Sequence, residues 1–563
     1  MSDPSNPLIV QSDRTVLLEV ASPKAGDARI ELARFAELER APEHIHTYRL
    51  TPLSLWNAAA AGVTPDGVVE VLQRFAKYPV PQAVLVGVAE DMARFGRLEL
   101  VADDDTGDLA LVADTVALLE LVASERTVAG LLGQRLDGNR FAVPLASRGP
   151  LKQALLALGW PPEDRAGYVE GVGLDLALRC LLRPYQQEAV EVWWSRGSTA
   201  GGSGVLVLPC GAGKTIIGMA AMAHAAARTL ILVTSITAAR QWKRELLDKT
   251  TLTAAQVGEY SGQRKQLREV TIATYQVLTW RDRRGSAAGG EEFPHLEVVD
   301  GHPWGLVVYD EVHLLPAPVF RVTATIQAVR RLGMTATLVR EDGKEGDVFS
   351  LIGPKRYDAP WRALEAQGWI APATCVEVRV NADLDEQMAY AVAPAAQRYR
   401  VAATVAAKNS VVDELVQRHT AAGDRVLVIG QYLDQLRALA DRLGAPVITG
   451  QTSQRVRAER FAAFLAEEPS VLVVSKIANF SIDLPEANVA VQVSGAFGSR
   501  QEEAQRLGRL LRPKADGGQA TFYTVVTRDT VDVEFAARRQ RFLTEQGYDY
   551  RITDADDVQG SIT

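Results

Sequence analysis

The chain has 563 residues, 47% hydrophobic and 23% charged, with a formal net charge of −8. The length is too great for one core and implies about three or four domains, while the globular composition excludes wholesale disorder and, with no apolar run near the length of a bilayer span, a helical membrane protein. The acidic balance excludes binding of nucleic acid through an overall basic surface, but not a motor that grips a backbone with a few groups in a cleft.

The start, MSDPSNPL, has no basic segment followed by an apolar one, so the expected location is the cytoplasm. Cys180, Cys210 and Cys375 lack metal-ligand spacing and are expected to be small buried hydrophobes. Residues 1–100 open with two short apolar runs, PLIV and TVLLEV, and continue as three helical patterns, TPLSLWNAAAAG, TPDGVVEVLQRFAKY and PQAVLVGVAEDMARFG. Thr51 and Thr64 are N-caps with a proline at the first helical position behind each. The alternation RLELV is expected to close a helical, winged-helix-like unit, for which DNA contact and protein docking are both open. Residues 101–175 form a small α+β domain: RLELVADDDTGDLALVAD gives two strands about an acidic turn, followed by a helix ALLELVASERTVAGLLG, a strand at Phe141 to Leu145 and a helix LKQALLALGW.

From residue 176 to 370 strand and helix alternate, with VLVLP, TLILVTS, VTIATY, WGLVVYDEVH and LGMTAT as buried strands. The pattern restarts over 371–550 with VEVRV, RVLVIG, PVITG, VLVVSK, NVAVQVS and TFYTVVT. Such alternation predicts an α/β fold with two consecutive parallel sheets, each covered on both faces. The stretch Arg281 to His295 is a polar surface loop, and residues 551–563 are expected to be an acidic, frayed tail.

The chemistry gathers on Val205 to Ala220, VLVLPCGAGKTIIGMA. A strand, a glycine-rich turn and a helix can wrap a triphosphate in backbone N–H groups where no Cβ intrudes, which Gly211 and Gly213 permit around Ala212. Lys214 is then the ligand of the β and γ phosphates of ATP, and the Thr215 hydroxyl a ligand of Mg²⁺. Leu208 stands where the strict phosphate-loop pattern has its first glycine. Ahead of the loop, in LRPYQ, the amide of Gln186 can read the edges of adenine with Arg183 against the ring; a helix start with Pro184 at its first position explains the same residues. Asp310 and Glu311 close a strand, where Asp310 would hold Mg²⁺ and Glu311 would orient and deprotonate water, or both would form a turn or cap. In QEEAQRLGRLLRPK, Gln505, Arg509 and Arg512 share one helical face. An arginine there can stabilise the charge left on the γ phosphate; a solvated basic helix is the bland reading.

In this order the segments resemble superfamily 2 helicase motifs, and LRPYQ, LPCGAGKT, ITAARQWKREL, TIATYQVL, DEVH, LGMTATLVRED, LIGPK, GQTSQ, SKIANFSIDLPEAN and QEEAQRLGRLLR resemble the XPB family of DNA repair helicases segment by segment. The resemblance implies two tandem RecA-like motor domains, with a damage-recognition-like domain at 101–175 and a DNA-gripping thumb at about 383–407. It implies a 3′ to 5′ helicase or translocase acting on DNA at a single-strand/duplex junction in nucleotide excision repair, working as a monomer, with a repair nuclease as partner. It assigns DNA coupling to Gln241, Thr274, Tyr275, Thr335 and Thr337, strand opening to Arg340, Glu341 and Asp342, and a nucleotide contact to Asp483. Asn479 and Phe480 depart from the family's Asp and Thr. A DNA remodeller that does not separate strands fits the same motor motifs. A phosphate-loop kinase or metabolic ATPase does not explain the arginine-bearing helix of the second α/β unit.

Overall fold

A computed structural model describes residues 3–40, 44–103, 109–144, 147–165, 172–195, 201–209, 211–280, 294–295, 299, 301–312, 328, 330–336, 345–359, 364, 367, 373–466, 470–475, 487–495, 520–545 and 550–560. The chain divides into two units, one of Met1–Glu37, Thr47–Leu208 and Gly213–Asp358, the other of Leu38–His46, Pro209–Ala212 and Ala359–Thr563.

The N-terminal runs form a four-stranded sheet of β1 (Leu8–Val10), β2 (Thr15–Glu19), β3 (Glu37–Arg40) and β4 (Ile45–Arg49), in the order β1-β2-β4-β3. Three helices follow, Pro52–Ala60, Pro65–Phe75 and Gln82–Met92. The threonine oxygens cap the first two: Thr51 Oγ1 accepts from Ser54 N at 3.0 Å and Thr64 Oγ1 from Gly67 N at 3.1 Å. The RLELV strand does not close this unit. It is β5 (Leu98–Ala102), which pairs antiparallel with β6 (Leu109–Ala113) and parallel with β8 (Glu163–Asp164), β7 (Arg140–Val143) completing a second sheet in the order β7-β6-β5-β8. The reason is where its apolar face goes, since Leu98 and Leu100 pack with Leu111, Leu119 and Leu151. The helix expected after β6 is two, Val116–Ala123 and Arg126–Ala129.

Seven strands carry the first α/β sheet: β9 (Ser203–Val207), β10 (Thr229–Val233), β11 (Val257–Tyr260), β12 (Val270–Thr274), β13 (Leu306–Asp310), β14 (Arg330–Thr335) and β15 (Lys355–Asp358). Their order is β11-β12-β10-β13-β14-β9-β15, with every pairing parallel. Continuous apolar runs such as TLILV are buried at every position, as strands covered on both faces must be. The edge strand β15 is covered by the N-terminal region: Lys355 N donates to Asn57 Oδ1 at 2.9 Å, Lys355 Nζ to Ala33 O at 3.1 Å and Arg356 Nη1 to Ala60 O at 2.8 Å.

The second unit repeats the plan with β16 (Ala373–Val380), β17 (Val426–Gly430), β18 (Val447–Ile448), β19 (Val471–Ser475), β20 (Val489–Gln492), β21 (Ala520–Thr527) and β22 (Tyr550–Asp554), ordered β18-β19-β17-β20-β21-β16-β22 and parallel throughout. Over the stretch expected to hold a thumb lie the helices Leu384–Val392 and Ala395–Ala403. A buried ion pair ties the next helix to the sheet: Lys408 Nζ donates to Asp532 Oδ2 at 2.6 Å, to Val525 O at 2.8 Å and to Val493 O at 3.2 Å. The expectation of a frayed tail is corrected. Tyr550–Asp554 pairs in register with β16, and the helix Ala555–Gly560 buries Val558 in the core while Asp556 and Asp557 stay exposed, so the acidic composition hid an anchored element. Cys375 is buried and Cys180 only half-buried; Cys210 and all of the 281–295 loop except Pro294 and His295 lie outside the described residues.

Candidate active site

The phosphate-loop motif emerges from the C-terminal end of β9, in the interior of the sheet. Leu208 is buried and its N–H donates to Thr335 O at the end of β14, at 2.9 Å, so the position that departs from the strict glycine pattern is a packed continuation of the strand. Gly211 and Gly213 take φ of +84° and +77°, which only glycine adopts without strain. Gly213 is restricted twice, because a Cβ there would lie 2.6 Å from Gln186 Nε2. The helix Lys214–Ala225 begins on this residue, its positive end and first-turn N–H groups at the loop.

Lys214 and Glu311 meet. Lys214 Nζ lies 2.9 Å from Glu311 Oε1, both side chains being largely buried. Glu311 stands at φ +52°, the left-handed region that a non-glycine residue occupies only where its surroundings enforce it. Beside it, Trp242 of the helix Ile236–Lys249 donates its indole Nε1–H to Asp310 Oδ2 at 2.9 Å. Burial, reinforced by the negative charge of Glu311, pushes the Asp310 carboxyl up to about 6, against the pull of the Trp242 bond and of Lys214. Tyr275, in the turn of helix after β12, donates its hydroxyl to Asp310 O at 2.9 Å, and its own ionisation is pushed well above the ordinary range by burial and by Asp310.

Gln186 does two things at once. Pro184 opens the helix Pro184–Trp194 and Gln186 Oε1 accepts from Arg183 N at 2.9 Å, so the helix-start reading holds; the same side chain also borders Gly213 of the loop. Thr274 and Thr335 end β12 and β14 as buried residues. Gln241 points to its own helix, Nε2 donating to Glu245 Oε1 at 3.0 Å, whereas its neighbour Trp242 reaches Asp310. Sequence reasoning passed over Trp242; the signal was a tryptophan set in an otherwise charged amphipathic helix, ITAARQWKREL. His313, Thr337, Arg340, Glu341, Asp342, Asn479, Phe480, Asp483, Gln505, Arg509 and Arg512 lie outside the described residues.

Hard oxygen donors from a hydroxyl at the first turn of a helix and a carboxylate at a strand end are the donor set that suits Mg²⁺ shared with phosphates, so Thr215 and Asp310 fit that ion. Comparison with known proteins extends the geometry to the whole chain. A profile described as the ERCC3/RAD25/XPB C-terminal helicase matches residues 364–561, one described as the type III restriction enzyme res subunit matches 179–340, and one described as a helicase conserved C-terminal domain matches 8–137. The DNA 3′-5′ helicase XPB of Kineococcus radiotolerans is 61% identical over 559 residues, covering 99% of this chain and 98% of that protein. The chain belongs to the XPB helicase family. The DNA 3′-5′ helicase XPB of Mycobacterium tuberculosis is 59% identical over 557 residues, 98% of this chain and 99% of that protein. The general transcription and DNA repair factor IIH helicase/translocase subunit XPB of Antonospora locustae is 34% identical over 568 residues, 98% of this chain and 82% of that one. In XPB terms the Lys214, Asp310 and Glu311 constellation falls where the phosphate-loop and DEVH segments lie, and both α/β sheets are the RecA-like pair that the family resemblance implies.

Proposed function

We propose that this chain is an ATP-dependent 3′ to 5′ DNA helicase of XPB type, a DNA-stimulated ATPase whose motor consumes ATP to unwind DNA in repair. The observation that carries the reading is the Lys214–Glu311 ion pair beside Asp310, at the head of the phosphate-loop helix, in a chain 61% identical to a DNA 3′-5′ helicase. Mg²⁺, when bound with ATP, would neutralise charge on the phosphates and polarise the transferred group. Lys214 then turns from Glu311 to the phosphates, and Glu311, released, orients the attacking water and takes its proton. Thr215 and Asp310 would hold the ion, Gln186 and Arg183 would border the base, and Arg509 and Arg512, with Gln505, would stabilise the charge of the transition state. Asp483 belongs to the same nucleotide site in this reading. Gln241, Thr274, Tyr275, Thr335 and Thr337 carry DNA contact to it, and Arg340, Glu341 and Asp342 part the strands. The motor works as a monomer in the cytoplasm on nucleoid DNA, its junction product suited to a structure-selective nuclease.

A forked duplex with a 3′ single-stranded arm tests this: strand release that requires ATP and is lost in Lys214→Ala supports the helicase. The Antonospora relative is named a helicase/translocase, and that carries a second reading, a duplex translocase. Displacement of a triplex-forming strand with no release from the fork would replace the first reading by the second.

A further inference from the structure

Asp310 is held by neutral donors from two other elements, Trp242 on its carboxylate and Tyr275 on its backbone carbonyl. The tryptophan bond stands apart from its counterparts. The indoles of Trp56, Trp193 and Trp304 donate to backbone carbonyls, of Asp91, Arg331 and Val299, which is how a buried Nε1–H is ordinarily satisfied. Trp242 is 2% exposed and donates instead to a carboxylate at the C-terminal end of a central strand. Its ring is fixed by the phosphate-loop helix, for a Cβ on Gly218 would lie 2.6 Å from Trp242 Cη2. The missing side chain at Gly218 is therefore what lets the indole reach across to Asp310.

We infer that Trp242 is a positioning residue for the metal-binding carboxylate, an inference that rests on the ATP-site reading of Asp310. A carboxylate that ligates an ion needs its rotation set in advance, and outer hydrogen bonds do this for metal ligands generally. A cationic donor would set the angle but cancel the charge that attracts the ion. An indole N–H sets it and leaves the charge in place. Because Gly218 lies one turn into the helix that Lys214 opens, the same rigid element aims both the phosphate ligand and, through Trp242, the carboxylate.

The test uses the full chain and mant-ADP, titrated in Mg²⁺ and in EDTA. Two variants act by different means: Trp242→Phe keeps the ring and removes the N–H, and Gly218→Ala keeps the indole and displaces it. Mg²⁺ is expected to tighten mant-ADP binding to the wild type, and each variant to lose about 10- to 100-fold of that tightening while its affinity in EDTA stays at the wild-type value. An unchanged ratio of the two dissociation constants overturns the inference, whether both constants stay or both rise, since a tryptophan that only supports packing would weaken binding with and without metal alike. If the wild type itself shows no Mg²⁺ dependence, the ATP-site reading falls first.

Discussion

Lys214 Nζ and Glu311 Oε1 are 2.9 Å apart, so the residue proposed to grip phosphate and the residue proposed to activate water neutralise each other. Each holds the other out of use. If Lys214 is the phosphate ligand proposed above, ATP has to displace Glu311 from it, and a variant without that competitor gives the lysine to the nucleotide at lower cost. Glu311→Gln is expected to bind ATP a few-fold more tightly while turnover falls by about 10²- to 10⁴-fold, the usual contribution of a general base. Lys214→Ala is expected to lose both binding and turnover. Equilibrium binding of a fluorescent ATP analogue with single-turnover hydrolysis checks the split, and weaker binding by Glu311→Gln would remove the competition from the account.

Arg512 carries the proposed stabilisation of transition-state charge. Arg512→Ala is expected to lower kcat by about 10³-fold or more with little change in nucleotide affinity. ATPase activity within about threefold of wild type would take the role away from this arginine.

Arg340, Glu341 and Asp342 are proposed to act on DNA alone. Replacing all three by alanine should cut strand release from a fork far more than DNA-stimulated ATP hydrolysis. Equal losses in the two assays would make the loop part of the ATPase cycle.

The carboxyl of Asp310, raised by burial and by Glu311 to about 6, gives a sign for pH dependence. Below that value the ligand-free site increasingly holds a proton where Mg²⁺ would bind, so kcat/KM for Mg-ATP should fall on an acid limb near pH 6. For stability the sense is reversed. The folded state binds this proton more readily than the unfolded chain, so the contribution of Asp310 grows as pH falls from about 6 toward 3.8 and is lost as pH rises back through 6. Asp310→Asn should flatten that part of the stability profile, measured as urea midpoints at pH 5 and pH 7.

Lys408 and Asp532 form a pair with almost no exposure to solvent. Removing one partner strands a buried charge, so Lys408→Met should cost about 3–5 kcal/mol, and replacing both by apolar residues should cost less than the sum of the single changes. Urea unfolding of the three variants measures this, and strict additivity would show that the two charges are not coupled.

How much of this was legible in the sequence depended on whether the determining contact is local. The caps Thr51 and Thr64 act three residues away and were readable. So were the central strands, because burial on both faces writes itself as an unbroken apolar run such as TLILV or VLVVS. The edge strands KRYD and YRITD carry charge and pair on one side only, so nothing in their composition marks a strand. The allegiance of β5 is decided by Leu111 and Leu151, and Trp242 finds its acceptor 68 residues along the chain. Lys214, Asp310 and Glu311 stood out in the sequence because phosphate chemistry restricts residue types at fixed spacing; a donor that only orients one of them leaves no such signature.

The bonds from Lys355 and Arg356 to Asn57, Ala33 and Ala60 bear on how this motor can be cut and recombined. A strand left bare at the side of a parallel sheet is a template for other chains, and β15 is the neighbour of the strand that feeds the phosphate loop. Trimming the first hundred residues therefore removes a seal from that edge. A chain trimmed to begin near residue 176 leaves β15 without these partners, an open edge with which another chain can pair.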